Sequence, residues 1–192
     1  QSLHGTVLPF SYNNYAELEA LVNLHDIGVI KMEVVRNMGP EDNFLHKVRK
    51  LATDRGIVLI FDECTSGFRE TFGGLHKKYG VEPDMAMFGK ALGNGYGITA
   101  TIGKREIMEA AQTTFISSTF WTERIGPTAA LATLKVMEQL KSWETITKTG
   151  LNIRQGWQKL ANRHGLEINH WGLAALTGFT FQSENALAYK TL

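Results

Sequence analysis

The chain has 192 residues, 43% of them hydrophobic and 20% charged. That is room for one domain, or one domain and part of another, with enough apolar side chain for a core. Twenty basic residues against 19 acidic ones leave a net charge of +1, without the basic patch that nucleic-acid binding calls for. No uncharged apolar run approaches the roughly 20 residues of a bilayer span, and Gln1 to Pro9 lack the basic start and apolar stretch of a signal peptide. Cys64 is the only cysteine; it cannot form an internal disulfide and fits a reducing compartment. A soluble cytoplasmic protein without nucleic-acid or membrane partners is expected. The start without methionine, and a last stretch, Glu184 to Leu192, patterned like a helix cut in mid-course, suggest that both ends are missing.

In chain order, Asn14 and Glu17 have capping-box spacing, and Leu18, Leu21 and Val22 recur at helical intervals after them. Gly28 to Val35 is β-rich and predicts a strand. Phe44, Leu45, Val48, Leu51 and Ala52 form a helical stripe between Glu41 and Arg55, with Gly56 placed to end it. Ile57 to Phe61 is continuously apolar, as a parallel strand covered on both faces would be. Asp84 to Phe88 and Gly97 to Ile102 predict two more strands. A long helix is expected from Arg124 to Leu140 and another around Trp143 to His164, closed by Gly165. Ile168 to Trp171 and Leu176 to Gln182 follow as strands of a different sheet, before a last helix. Alternating strands and helices predict an α/β domain with a mostly parallel sheet and helices on both faces. Residues 1–164 would form this larger unit and 165–192 the start of a small α+β domain.

Two segments invite chemistry. Asp62 directly follows an apolar strand, and ligands of open α/β sheets bind beyond the carboxyl ends of their strands. An Asp-Glu pair also suits the plain task of capping the next turn. Lys90 lies between an apolar strand and the glycine-rich run Gly93-Asn94-Gly95. Desolvation there would lower its pKa and free the amine to attack a carbonyl; a lysine at a turn is the alternative. A Walker loop is excluded because Asp84 and Ala91 stand where it needs glycine and Ser or Thr. Gly93 to Gly97 has the wrong spacing for a dinucleotide fingerprint. Neither Cys64 nor the histidines show zinc-ligand spacing.

The ordered set Phe61-Asp62-Glu63-Cys64-Thr65-Ser66-Gly67-Phe68-Arg69, Tyr79-Gly80-Val81-Glu82-Pro83-Asp84 and Gly89-Lys90-Ala91-Leu92-Gly93 strongly resembles the class III aminotransferases. Arg69 and Gly73-Gly74 resemble the branch that contains glutamate-1-semialdehyde aminomutase, as do Glu33-Val34-Val35 and Asn37-Met38. The resemblance implies the type I fold of transferases dependent on pyridoxal 5'-phosphate (PLP). It implies a Schiff base between Lys90 and PLP, with Lys90 then moving the substrate's proton, and Asp62 on the pyridine nitrogen. It further implies Thr65 and Ser66 beside the ring and its phenolic oxygen, Glu33 as a carboxylate near the ring, and Thr119 reaching the cofactor phosphate of a neighbouring subunit in a homodimer. The implied substrates are an amine or amino acid and a carbonyl compound, or one molecule serving as both in an aminomutase; a non-catalytic assembly or binding role is the other class. The family's main phosphate loop would precede Gln1, and the carboxylate-binding arginine of many members would follow Leu192. Cys64, Thr65, Trp121 and Arg124 depart from the family pattern.

Overall fold

The computed structural model describes residues 5–117, 119–120 and 122–191. The order of elements is α1 (Tyr15–Leu24), β1 (Val29–Glu33), α2 (Phe44–Asp54), β2 (Val58–Asp62), α3 (His76–Tyr79), β3 (Met85–Phe88), a 3-10 turn (Lys90–Leu92) and β4 (Ala100–Gly103). There follow α4 (Arg105–Met108), α5 (Ile125–Leu140), α6 (Ser142–Arg163), β5 (Ile168–Trp171), β6 (Gly178–Phe181) and α7 (Ala186–Thr191). The first sheet has the order β1-β2-β3-β4. β1 and β2 pair in parallel, as do β2 and β3, and β4 closes the edge antiparallel to β3. β5 and β6 form a separate antiparallel pair.

The capping at α1 is half of the expected box. Asn14 Oδ1 accepts from the Glu17 backbone N–H at 3.2 Å, but the Glu17 carboxylate takes the N–H of Ser11 at 2.9 Å rather than that of Asn14. At α2 the expected glycine stop is met. Gly56 has φ +66°, and Ile57 N–H donates back to Ala52 O at 2.8 Å, closing the helix in a Schellman-like turn that a side chain at residue 56 would strain.

Strand alternation decides the core. Ile30, Met32, Leu59 and Phe61 are buried together with Leu18 and Val22 of α1 and Phe44, Leu45, Val48 and Leu51 of α2. Ala86 and Phe88, on the same face by register with Phe61, join Phe68, Leu92 and Ala130 of α5 in a second cluster. The opposite face carries Val29 and Lys31, with the Lys31 side chain 51% exposed. The long helices α1, α2 and α5 thus contribute their buried side chains to one face of the sheet. Tight packing also ties the later segment down: a Cβ on Gly150 of α6 would lie 1.7 Å from Ala174 O, so the turn at 174–176 touches helix backbone.

Asp84 staples the amino ends of the strands. Its Oδ2 accepts from Leu59 N–H at 2.8 Å and Arg49 at 2.9 Å, and its Oδ1 accepts from Lys104 at 2.7 Å. Burial pushes its pKa up, but the Leu59 N–H and the two cations outweigh that and hold it at about 2.

Candidate active site at the carboxyl ends of β2 and β3

Asp62 ends β2 and is the register partner of Glu33 at the end of β1 and of Met87 in β3. Glu63 N–H donates to Met87 O at 2.8 Å, so the chain leaving β2 is fastened to the strand that leads, two residues past Met87, to Gly89 and then Lys90. Lys90 has φ +44°, a left-handed conformation that costs a non-glycine residue about 1–3 kcal/mol and tends to mark functional turns. Gly89 before it lies against Cys64 Sγ and Thr99 Cγ2, each 3.4 Å from where a Cβ would be.

Lys90 Nζ donates to Thr65 Oγ1 at 2.6 Å. The expected desolvation of this amine is not met: Phe88 and Gly89 are buried, but Lys90 is exposed, because its left-handed backbone carries it out of the strand's alternating pattern. Asp62 is partly buried. Burial raises its pKa, yet hydrogen bonds from Lys31 Nζ at 2.8 Å and Cys64 N–H at 3.1 Å prevail and hold it below the ordinary carboxylate value. Asp62 is therefore an anion that already binds a cation. The Cys64 thiol feels both groups: burial and Asp62 raise its pKa, and Lys90 and Lys31 partly offset them.

The remaining expected residues divide. Glu33 Oε1 takes Arg36 at 2.8 Å, and its buried Oε2 has no hydrogen-bond partner among the described residues. Ser66 is 1% exposed and its hydroxyl donates to Glu63, so it faces a buried polar knot rather than Lys90. Thr119 is exposed, and no hydrogen bond among the described residues joins it to Lys90 or Asp62. Ser118 and Trp121 lie outside the described residues. Two features escaped the sequence reading. Lys31 was hidden as one polar residue in the alternation of β1. The knot of Glu63, Ser66 and His76, with His76 Nδ1 2.8 Å from Glu63 Oε1, was signalled only by Gly74, where a Cβ would overlap the His76 ring at 2.2 Å.

The α/β architecture is that of the type I PLP-dependent transferases. The solved Sphingopyxis sp. MTA144 FumI protein, described in its PLP internal aldimine form, aligns with a TM-score of 0.87 at 27% identity over 92% of this chain and 44% of its own. The chain belongs to the class III aminotransferases, whose family model matches residues 32–188. It is 34% identical to the 3-aminobutyryl-CoA aminotransferase of Cloacimonas acidaminovorans over 99% of this chain and 48% of that protein. It is 33% identical to the glutamate-1-semialdehyde 2,1-aminomutase of Natranaerobius thermophilus over 94% and 44%. The chain thus spans about half the length of the curated relatives it matches.

Proposed function

We propose that the protein moves an amino group between an amino compound and a carbonyl acceptor, with PLP bound between Lys90 and Asp62. The observation that carries this is the delivery of Asp62 and Lys90 by the adjacent parallel strands β2 and β3. The donor set fits the group: an ionised carboxylate that already holds an ammonium suits a protonated ring nitrogen, and a lysine amine beside a hydroxyl suits a carbonyl. When bound, PLP supplies an electron sink for a carbanion at the substrate. Lys90 holds the cofactor and carries the substrate's proton at Nζ. Asp62 keeps a proton on the ring nitrogen, exchanging the Lys31 ammonium for it. Thr65 orients the Lys90 amine and reaches the phenolic oxygen; Ser66 acts through Glu63 to fix the turn that presents Thr65. Glu33 stands beside Asp62 as a further carboxylate. Exposed Thr119 meets the cofactor phosphate of a partner, so the unit is a two-fold homodimer. Residues 165–192 begin a second, smaller unit, which the separate β5-β6 sheet supports. A cytoplasmic setting fits the lone cysteine, and no described helix is long and apolar enough to cross a membrane.

The test is absorbance near the border of the visible and ultraviolet. Protein loaded with PLP is expected to show the band of a lysine-bound cofactor, and Lys90→Ala to lose it. An unchanged spectrum in the variant removes Lys90 from the mechanism; no band in the wild type favours a non-catalytic role. The relatives named as aminomutases favour a second reading, intramolecular transfer. Turnover without an added keto acid would select it.

A further inference from the structure

We infer that Arg69 is an anion-binding subsite, receiving a carboxylate of the substrate whose amino group reacts at Lys90. This rests on the proposed chemistry at Lys90. Both cations sit on one threonine: Lys90 Nζ donates to Thr65 Oγ1 at 2.6 Å, and Arg69 Nε donates to Thr65 O at 3.4 Å. The amine meets the side chain of Thr65 and the guanidinium its backbone carbonyl, so both cations are anchored to the same residue of the turn after β2.

Arg69 is partly buried, and burial lowers its pKa, yet no carboxylate lies within 4.0 Å of it among the described residues. The neighbouring acid, Glu70, is already committed to Lys78 at 2.7 Å and to Ala174 N–H at 2.9 Å. A desolvated charge without a counter-ion is costly, and that cost falls when an anion arrives. The surroundings are arranged for one. Arg69 and Lys90 line a cleft of about 830 Å³ with Phe68, Asn94 and the Ala132, Thr133, Val136 and Met137 side of α5, and no acidic side chain among the described residues lines it. Its volume is within the usual range for small-molecule sites. Ser142, which opens α6, also lines the cleft, and its buried hydroxyl has no partner among the described residues. An arginine fork can engage both oxygens of a carboxylate, which a lysine cannot match geometrically.

The experiment titrates the cofactor-loaded protein with glutarate and follows the absorbance band. Wild type is expected to bind, and Arg69→Gln to bind about 10- to 100-fold more weakly, the range for losing charge-assisted hydrogen bonds. Arg69→Lys should fall between them. Val136→Glu, on the exposed part of α5 that lines the cleft, should also weaken binding while keeping the arginine; it carries the test if Arg69→Gln does not fold. The preference for an acidic over an uncharged amine substrate should drop by the same factor. No glutarate binding to wild type, a change under about twofold in both Arg69→Gln and Val136→Glu, or equal losses in the Lys and Gln variants would overturn the inference. A missing band in wild type would instead bring down the proposed function, so the two failures are distinguishable.

Discussion

Asp62 and Glu63 are consecutive carboxylates with opposite fates. Successive residues at a strand end point to opposite faces, so Asp62 opens toward the sheet face opposite the core clusters with its side chain 23% exposed, and Glu63 turns into the core at 0%. Around Glu63 every contact is internal: Ser66, the His76 ring and the His76 N–H at 3.0 Å all meet its carboxylate. Around Asp62 one oxygen is held by backbone and the other only by a half-exposed lysine. One acid fixes the turn and its neighbour is left able to exchange its partner, as the role proposed for Asp62 requires.

The comparison breaks most visibly if Asp62 is neutralised. Asp62→Asn is expected to retain cofactor but slow proton transfer on the order of 10²-fold or more, the scale of losing one preorganised electrostatic contact; single-turnover rates within a few-fold of wild type would count against its role. On the other side, Glu63→Ala strands His76 and Ser66 in the core and should cost about 3–5 kcal/mol of stability, read from the denaturation midpoint.

Acid sharpens the contrast. Burial disfavours the Glu63 anion, but His76 and Ser66 more than offset it and its pKa is lowered from 4.5; Asp84 is lowered from 3.8 to about 2. Each therefore contributes stability that is complete above its ordinary value and fades as pH falls through its folded one. The melting temperature should drop between about pH 4.5 and 2, and Asp84→Asn should flatten the lower part of that fall; an unchanged slope in the variant would rule out its part. The smallest effect belongs to Lys31→Met. Breaking so exposed a pair should change stability by less than about 1 kcal/mol without weakening PLP binding, because in the proposed site the ring nitrogen would replace the Lys31 ammonium at Asp62.

What the sequence disclosed follows from which signals are local. The helical stripe of α2, the Gly56 and Gly165 stops and the apolar run of β2 are each contained within a few residues, and each element formed where expected, to within a residue or two. β4 was foreseen from Gly97 but begins at Ala100, since Asn94 at φ +47° and Gly95 at φ +102° wind the preceding loop, and its antiparallel sense is set by pairing with β3, not by composition. Asp62 and Lys90 were singled out as candidates by their positions after apolar strands and by family resemblance. The inward turn of Ser66 and the Lys31–Asp62 pair depend on register between strands and were invisible in the linear order.

The most direct test is chemical trapping. Reducing the PLP-loaded protein with borohydride and mapping its peptides by mass should find the cofactor's added mass on the peptide containing Lys90. Finding it instead on Lys31, the amine that touches Asp62, or spread over surface lysines, would contradict the central assignment.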